Sequence, residues 1–150
     1  MVSGLVRLIF LIAALGWLLT GCSSRPAPDM AAIVMADDDP LAASAARSLW
    51  QQAVHARDNS ELAAAGRLLE RALYLEPESS WLHREMAELR LREGDPQSAE
   101  VLAQRALRLA PRRPAYQAAL WELIATARLR QQDSAGAERA RREAQMLWQR

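Results

Sequence analysis

Lysine is absent from this 150-residue chain, and cysteine and phenylalanine each occur once. A single cysteine excludes an intramolecular disulfide, so an oxidising compartment would add no covalent staple to the fold. The 19 basic side chains nearly balance 18 acidic ones, and no basic patch is interleaved with aromatic residues, which argues against a nucleic-acid partner. The length fits about one domain. We attribute the absence of lysine to genome composition rather than to function.

The sequence also lacks the residue constellations of common active sites. His55 and His83 fall in different predicted hairpins, and neither has a second histidine or a cysteine at a metal-ligand spacing. No serine lies in a nucleophile elbow, and no glycine-rich loop is present to bind phosphate. Glu85 and Glu88 are helix neighbours, which indicates solvated charge rather than a glycosidase pair. We therefore expect no enzyme, cofactor, metal or small-molecule substrate; a cell-wall-active enzyme is the alternative of a different class.

The N-terminal segment has the composition of a secretory signal. The run from Leu8 to Leu19 contains twelve residues without a charge and follows Arg7. Because a bilayer-spanning helix needs about 20 apolar residues, this run is too short for a stable span. A charged start, a short apolar core and small residues before a cut site are the parts of a secretory signal. Residues 1–21 are thus predicted to be a cleaved signal peptide.

The cysteine follows this run directly, in the segment Leu19-Thr20-Gly21-Cys22. The segment resembles the lipobox of bacterial lipoproteins, which implies that Cys22 is acylated and becomes the mature N-terminus. An ordinary buried cysteine is the alternative. Several acyl chains together hold a protein durably on a membrane. The residues after Cys22 lack the aspartate that resembles an inner-membrane retention signal, so we expect a periplasm-facing lipoprotein of the outer membrane.

Residues 22–40 form the predicted linker between the anchor and the folded domain. From Ser23 to Pro40 the sequence contains three prolines and the acidic cluster Asp37-Asp38-Asp39, without an apolar period. This composition is typical of a flexible tether. At roughly 3.3 Å per extended residue, its length corresponds to about 60 Å at most.

Two segments beyond the linker repeat each other. RALYLEP (71–77) and RALRLAP (105–111) match at five of seven positions with an offset of 34 residues. That period is typical of the tetratricopeptide helix-turn-helix repeat. GDPQSAE (94–100) aligns with QDSAGAE (132–138) at an offset of 38, which predicts one extra helical turn in the helix between them. Alanines at 65, 72, 99 and 106 occupy the small positions where paired helices pack closely.

The pattern predicts an all-α domain over residues 41–150. We expect three tetratricopeptide-like hairpins that form a short right-handed solenoid. The predicted helices span 41–57, 61–75, 80–93, 96–109, 114–131 and 134–148. Asp39, Asp95 and Asp133 are predicted to cap the helices that follow them.

Helical-repeat stacks usually bind peptides or protein elements on a concave surface. By resemblance to the family, the first helix of each hairpin lines this groove. The candidate partner-binding residues are Arg47, Trp50, Trp81, Arg84, Glu88, Arg92 and Glu122. Arginine and tryptophan are favoured interface anchors. Core packing is the alternative for Trp50 and Trp81, and it is the preferred interpretation of Trp121 and Trp148.

The phrases SSWLHREMAELRLREGDPQSAEVLAQRALRLAP and LWELIATARLRQQDSAGAERARREA resemble the repeat domain of a specific lipoprotein group. Its members are small outer-membrane lipoproteins of pseudomonads and related gammaproteobacteria, and they activate a bifunctional class A penicillin-binding protein. The resemblance implies that partner for this chain, bound through protein contacts while Cys22 binds the membrane. The alternative is a pilotin or assembly-type lipoprotein for an outer-membrane pore, pilus or secretion complex.

Overall fold

The computed structural model describes Leu41 and residues 44–149. Six α-helices follow one another in this part of the chain, and no strand occurs in it. They are α1 (Arg47–Asp58), α2 (Leu62–Leu75), α3 (Ser80–Arg92), α4 (Pro96–Leu109), α5 (Pro114–Arg130) and α6 (Ser134–Trp148). They pair as three hairpins, which confirms the predicted all-α repeat fold. Within the described residues, no helix combines the length and the apolar character needed to cross a membrane.

The first helix begins later than predicted. The predicted start at residue 41 is wrong, because Leu41 and Ser44 belong to a turn in which Ser44 N donates to Leu41 O at 2.8 Å. Ser44 Oγ accepts from Ala46 N at 3.0 Å and donates to Glu76 Oε1 at 2.7 Å. Helix α1 therefore starts only at Arg47. Asp39, the predicted cap, lies outside the described residues, as do the predicted signal peptide, Cys22 and the linker.

Each hairpin turns through the same backbone motif. Ser60, Gly94 and Gln132 have positive φ angles of 64°, 81° and 66°, each at the second residue after a helix. A Schellman pair of hydrogen bonds satisfies the last carbonyls of each helix. The bond of each pair that spans five residues joins Glu61 N to Ala56 O (2.8 Å), Asp95 N to Arg90 O (2.9 Å) or Asp133 N to Arg128 O (2.9 Å). Gln132 thus adopts the conformation that glycine provides in the middle hairpin.

Two predicted helix caps are confirmed. Asp95 Oδ1 accepts from Ser98 N at 3.0 Å. Hydrogen bonding to the Ser98 side chain, and then to its backbone N–H, lowers the pKa of Asp95. Asp133 Oδ1 accepts from Gly136 N at 2.8 Å. A Cβ atom at Gly136 would lie 1.8 Å from Asp133 Oδ2, so the glycine leaves room for the capping carboxylate.

Small residues let the paired helices approach closely. The predicted close-packing positions, Ala65, Ala72, Ala99 and Ala106, are all fully buried. Ala137 and Ala144 occupy the same places in the last hairpin and are buried as well. The predicted extra turn is also confirmed, since α5 has 17 residues whereas α3 has 13. Its buried apolar face includes Tyr116, Leu120, Ile124 and Ala127.

Candidate functional site

The first helices of the hairpins, α1, α3 and α5, form one surface, here called the groove face. Arg92 Nη1 of α3 donates to Arg57 O at 3.4 Å and lies 3.9 Å from Asp58 Oδ1, both at the end of α1. One hairpin further on, Arg130 Nη1 donates to Leu91 O. Carbonyls in the last turn of a helix have no partner within that helix. Arg57 O and Leu91 O also accept from the turn N–H groups of Ser60 and Gly94, so each arginine adds a second hydrogen bond that joins neighbouring hairpins.

An ion-pair cluster occupies the middle of the groove face. Arg57 Nη1 pairs with Glu85 Oε2 and lies 3.3 Å from Glu88 Oε2. Arg84 Nη2 lies 2.9 Å from Glu88 Oε1, one helical turn away. The side chains of Arg57, Arg84 and Glu85 are only 11 to 13% exposed. Two arginines and two glutamates therefore neutralise one another largely out of solvent.

The electrostatics of the cluster follow from this burial. Burial raises the pKa of Glu85, and the nearby Glu88 carboxylate adds to the effect, while Arg57 and Arg84 oppose it. Burial also opposes the charge on Arg57, but the carboxylates of Glu85 and Glu88 outweigh it and raise the pKa of Arg57. A buried carboxylate remains charged only while its cation stays in place. Arg57 is therefore the residue that allows α3 to present two glutamates here.

Trp50 lies beside this cluster. Its ring is half-buried and packs against the core of the first hairpin. The indole Nε1 is buried and has no hydrogen-bond partner among the described residues. Burial raises the pKa of Glu85, and Trp50, like Arg57 and Arg84, opposes this rise. Trp50 thus contributes to packing in the free protein.

Trp81 has both a packing role and a fixed orientation. It is 7% exposed and stacks on Tyr116 of α5, with the ring centroids 4.0 Å apart. Tyr116 Oη lies 2.9 Å from Ser80 Oγ, which in turn donates to Ala106 O at 2.7 Å. Burial raises the pKa of Tyr116 to about 12, although the Ser80 hydrogen bond opposes this shift. The aromatic pair joins the second hairpin to the third.

The remaining candidates lie on exposed parts of α1, α3 and α5. Arg47 is exposed in the first turn of α1, Arg92 has a half-exposed side chain at the end of α3, and Glu122 is exposed in the middle of α5. The structure therefore brings Arg84 and Glu88 together in one ion pair. Arg47 and Glu122 are presented separately, on the two outer helices.

Sequence reasoning missed Arg57, and its interpretation of Glu85 as solvated charge is wrong, because the Glu85 side chain is 13% exposed and pairs with Arg57. Arg57 and Asp58 stand 34 residues before Leu91 and Arg92. The same offset relates Arg47 to Trp81 and Trp50 to Arg84. Applying the offset to the whole helix would have placed Asp58, the equivalent of Arg92, on the groove face. Arg57 is equivalent to the buried Leu91 and therefore gave no such signal. Its pairing with Glu85 depends on packing between hairpins, which local spacing does not report.

The histidines lie in different settings. His83 is buried, and its Nε2 lies 2.9 Å from Pro77 O and 3.0 Å from Arg105 Nε. Burial lowers the pKa of His83, and the bond to Pro77 opposes this effect. His55 is exposed, with Nδ1 3.2 Å from Asn59 Nδ2. In the described part of the chain, no group of three histidine, cysteine, aspartate or glutamate side chains is placed to hold a metal.

Comparison with known proteins agrees with this architecture. A family model described as a tetratricopeptide repeat matches residues 56–123. No match was found among curated proteins. Among solved structures, the globular C-terminal domain of P. aeruginosa LpoP is 40% identical in sequence, with a TM-score of 0.65. The match covers 68% of this chain and 96% of that domain. The chain therefore belongs to the LpoP family of tetratricopeptide-repeat proteins.

Proposed function

We propose that this chain is a lipoprotein of the outer membrane whose repeat domain binds and stimulates a bifunctional class A penicillin-binding protein. The observation that carries the proposal is the 40% identity to the LpoP C-terminal domain over 96% of its length. The motif resemblance in the sequence supports the same class of partner. A helical-repeat stack with a preorganised groove face is suited to gripping a protein element.

Anchoring at Cys22 suits this role. The synthase is rooted in the other membrane, and the linker lets the domain reach toward it. Confinement near one membrane raises the effective concentration of a binder, so a modest intrinsic affinity is sufficient.

The exposed candidates on the groove face are proposed to contact the synthase. Arg47, Arg92 and Glu122 present charge to solvent. The Arg57, Arg84, Glu85 and Glu88 cluster and the Trp81 stack position these helices instead, because their side chains are largely buried. A rigid, pre-formed surface loses little conformational entropy when it binds.

Stimulation requires more than binding. A partner shifts a conformational equilibrium only through its different affinities for the two states. The repeat domain is therefore proposed to bind the active conformation of the synthase more tightly than the inactive one. This difference raises the populated fraction of active enzyme.

The partner assignment is tested by crosslinking in intact cell envelopes. The full-length lipoprotein serves as bait, and a Cys22→Ala variant provides the unanchored control. We expect the anchored bait to recover a class A penicillin-binding protein and the Cys22→Ala variant to recover much less. Recovery of a secretin or another pore subunit instead would contradict the proposal and assign the protein to complex assembly.

A further inference from the structure

The edge of the stack where the chain enters the domain carries a group of exposed arginine side chains. Because the helices alternate in direction, the loops at 76–79 and 110–113 lie at the same edge. The chain enters here too, since Ser44 Oγ donates to Glu76 Oε1 at 2.7 Å and Leu41 is 2% exposed in the core of the first hairpin. We call this region the entry edge.

Arginines dominate the entry edge. Between Glu100 and Glu122 the sequence contains four arginines and no acidic residue. Arg105 and Arg108 are exposed on one face near the end of α4, and Arg112 is exposed in the loop that follows. Within the described residues, none of these three forms a salt bridge.

Arg105 connects this charge to the place where the chain enters. Its Nε lies 3.0 Å from His83 Nε2, which lies 2.9 Å from Pro77 O in the first loop. Pro77 follows Glu76, the residue bound to Ser44. Glu76 is thus already occupied, and Glu78 is an exposed carboxylate in the same loop.

We propose that the acidic cluster Asp37-Asp38-Asp39 of the linker docks on the arginines of the entry edge. These aspartates lie outside the described residues, but they precede Leu41 by only two to four positions. At roughly 3.3 Å per residue, that spacing corresponds to about 7 to 13 Å of chain. Three negative charges are therefore tethered within about 13 Å of Leu41, at the edge that also carries Arg105, Arg108 and Arg112. Single exposed ion pairs are weak, but a covalent link supplies a high effective concentration.

Docking has a consequence for the linker. If residues 37–39 are held on the domain, only residues 23–36 remain as a free tether. Fourteen extended residues correspond to about 46 Å, compared with about 60 Å for the whole segment. The contact thus shortens the reach of the anchored domain and sets the side from which the tether leaves it. Because exposed charges are screened by salt, both effects weaken as ionic strength rises.

The test uses the chain from residue 22 onward, without lipid, carrying Cys22→Ser and Ala36→Cys so that one spin label is attached beside the acidic cluster. At low salt we expect a slowly moving component in the electron paramagnetic resonance spectrum. Arg105→Gln, Arg108→Gln and Arg112→Gln together should reduce this component severalfold, as should 1 M salt. The matched control removes three exposed arginines of α6, with Arg139→Gln, Arg141→Gln and Arg142→Gln, and should retain it.

Charge exchange makes the test specific. Replacing the three aspartates by arginine should abolish the slow component, and adding Arg105→Glu, Arg108→Glu and Arg112→Glu should restore it. Equal unfolding midpoints establish that all variants are folded. Label motion that is the same in wild type and in the Arg105, Arg108 and Arg112 variant would overturn the proposal. So would an equal loss in the α6 control, because docking would then reflect net charge alone.

Discussion

Arg57 holds together two hairpins with a single guanidinium. It pairs with Glu85 and Glu88 across the interface between α1 and α3, and its side chain is 12% exposed. Removing the cation leaves two carboxylates close together in a partly buried site. Breaking a buried pair by deleting one partner is strongly destabilising, because the remaining charge has no compensation.

We predict that Arg57→Ala lowers the free energy of unfolding by about 2 to 3 kcal/mol. The measurement is urea denaturation followed by helical circular dichroism. Arg92→Ala is the matched control, since Arg92 also reaches the end of α1 but its side chain is 49% exposed. That substitution should cost less than about 1 kcal/mol. Equal costs for the two variants would contradict a structural role for the cluster.

Tyr116 makes the free energy of unfolding of the domain decrease at alkaline pH. Burial raises the pKa of Tyr116 from 10.0 to about 12, so folding favours the neutral phenol. The stability that this group contributes is therefore complete below pH 10 and is lost as the pH rises toward 12. Since the chain has no lysine, few other side chains titrate in this window.

We expect the free energy of unfolding to fall between about pH 10 and pH 12 in the wild-type domain. The fall should be much smaller in Tyr116→Phe and unchanged in Tyr74→Phe, because Tyr74 is 87% exposed. The measurement is denaturant unfolding across this pH range. A Tyr116→Phe variant with the same pH slope as wild type would refute the assignment.

The hairpin turns offer an internal comparison among equivalent positions. Gln132 and Ser60 adopt the left-handed conformation that Gly94 adopts without a side chain. That conformation is unfavourable for residues with a Cβ atom. Nothing lies within 4 Å of a Cβ placed at Gly94, so the backbone alone sets the effect there.

We predict that Gln132→Gly stabilises the domain and that Gly94→Ala destabilises it, each by about 1 kcal/mol. Thermal unfolding of the two variants beside wild type measures the changes. Ser60→Gly tests whether the first turn behaves as the last does. The account of the turns would be wrong if Gly94→Ala proved neutral.

Helices were predictable from the sequence where local signals coincide. Asp95 before Pro96 and the 34-residue period place α4 correctly, and the offset of 38 places the extra turn in α5. The start of α1 was not predictable, because Ser44 binds Glu76, a residue 32 positions away. A local pattern does not contain that contact.

The candidate site was also predictable in one part and not in another. Sequence reasoning placed Arg84 and Glu88 on the same groove-lining helix, and the structure pairs them. The sequence does not distinguish Trp81 from an exposed interface anchor, but in the structure its ring is buried and stacks on Tyr116. Which aromatic side chains are buried depends on how hairpins pack, and the residues that decide it lie on different repeats.

The outer faces of the first and last hairpins show where the helical stack ends. Ser48 and Gln52 are exposed where the middle hairpin buries Leu82 and Met86, 34 residues later. At the other end, Arg141 is exposed at the position of the buried Ala103. Polar residues at terminal repeats are expected where the core is not continued. The first and last hairpins therefore end the stack, and all three hairpins contribute to the groove face.

The central claim is that this groove face stimulates a class A penicillin-binding protein. The most direct measurement is the rate of glycan polymerisation and crosslinking by the purified synthase as the repeat domain is added. One variant combines Arg47→Glu with Glu122→Arg, which leaves the net charge unchanged. Its matched control combines Arg139→Glu with Glu143→Arg on the exposed face of α6.

We expect the wild-type domain and the α6 control to raise both rates equally. The groove variant should need a concentration at least about tenfold higher for the same stimulation, as for the loss of an interface hot spot. Unchanged rates in the presence of bound wild-type domain would contradict the account, and so would full stimulation by the groove variant.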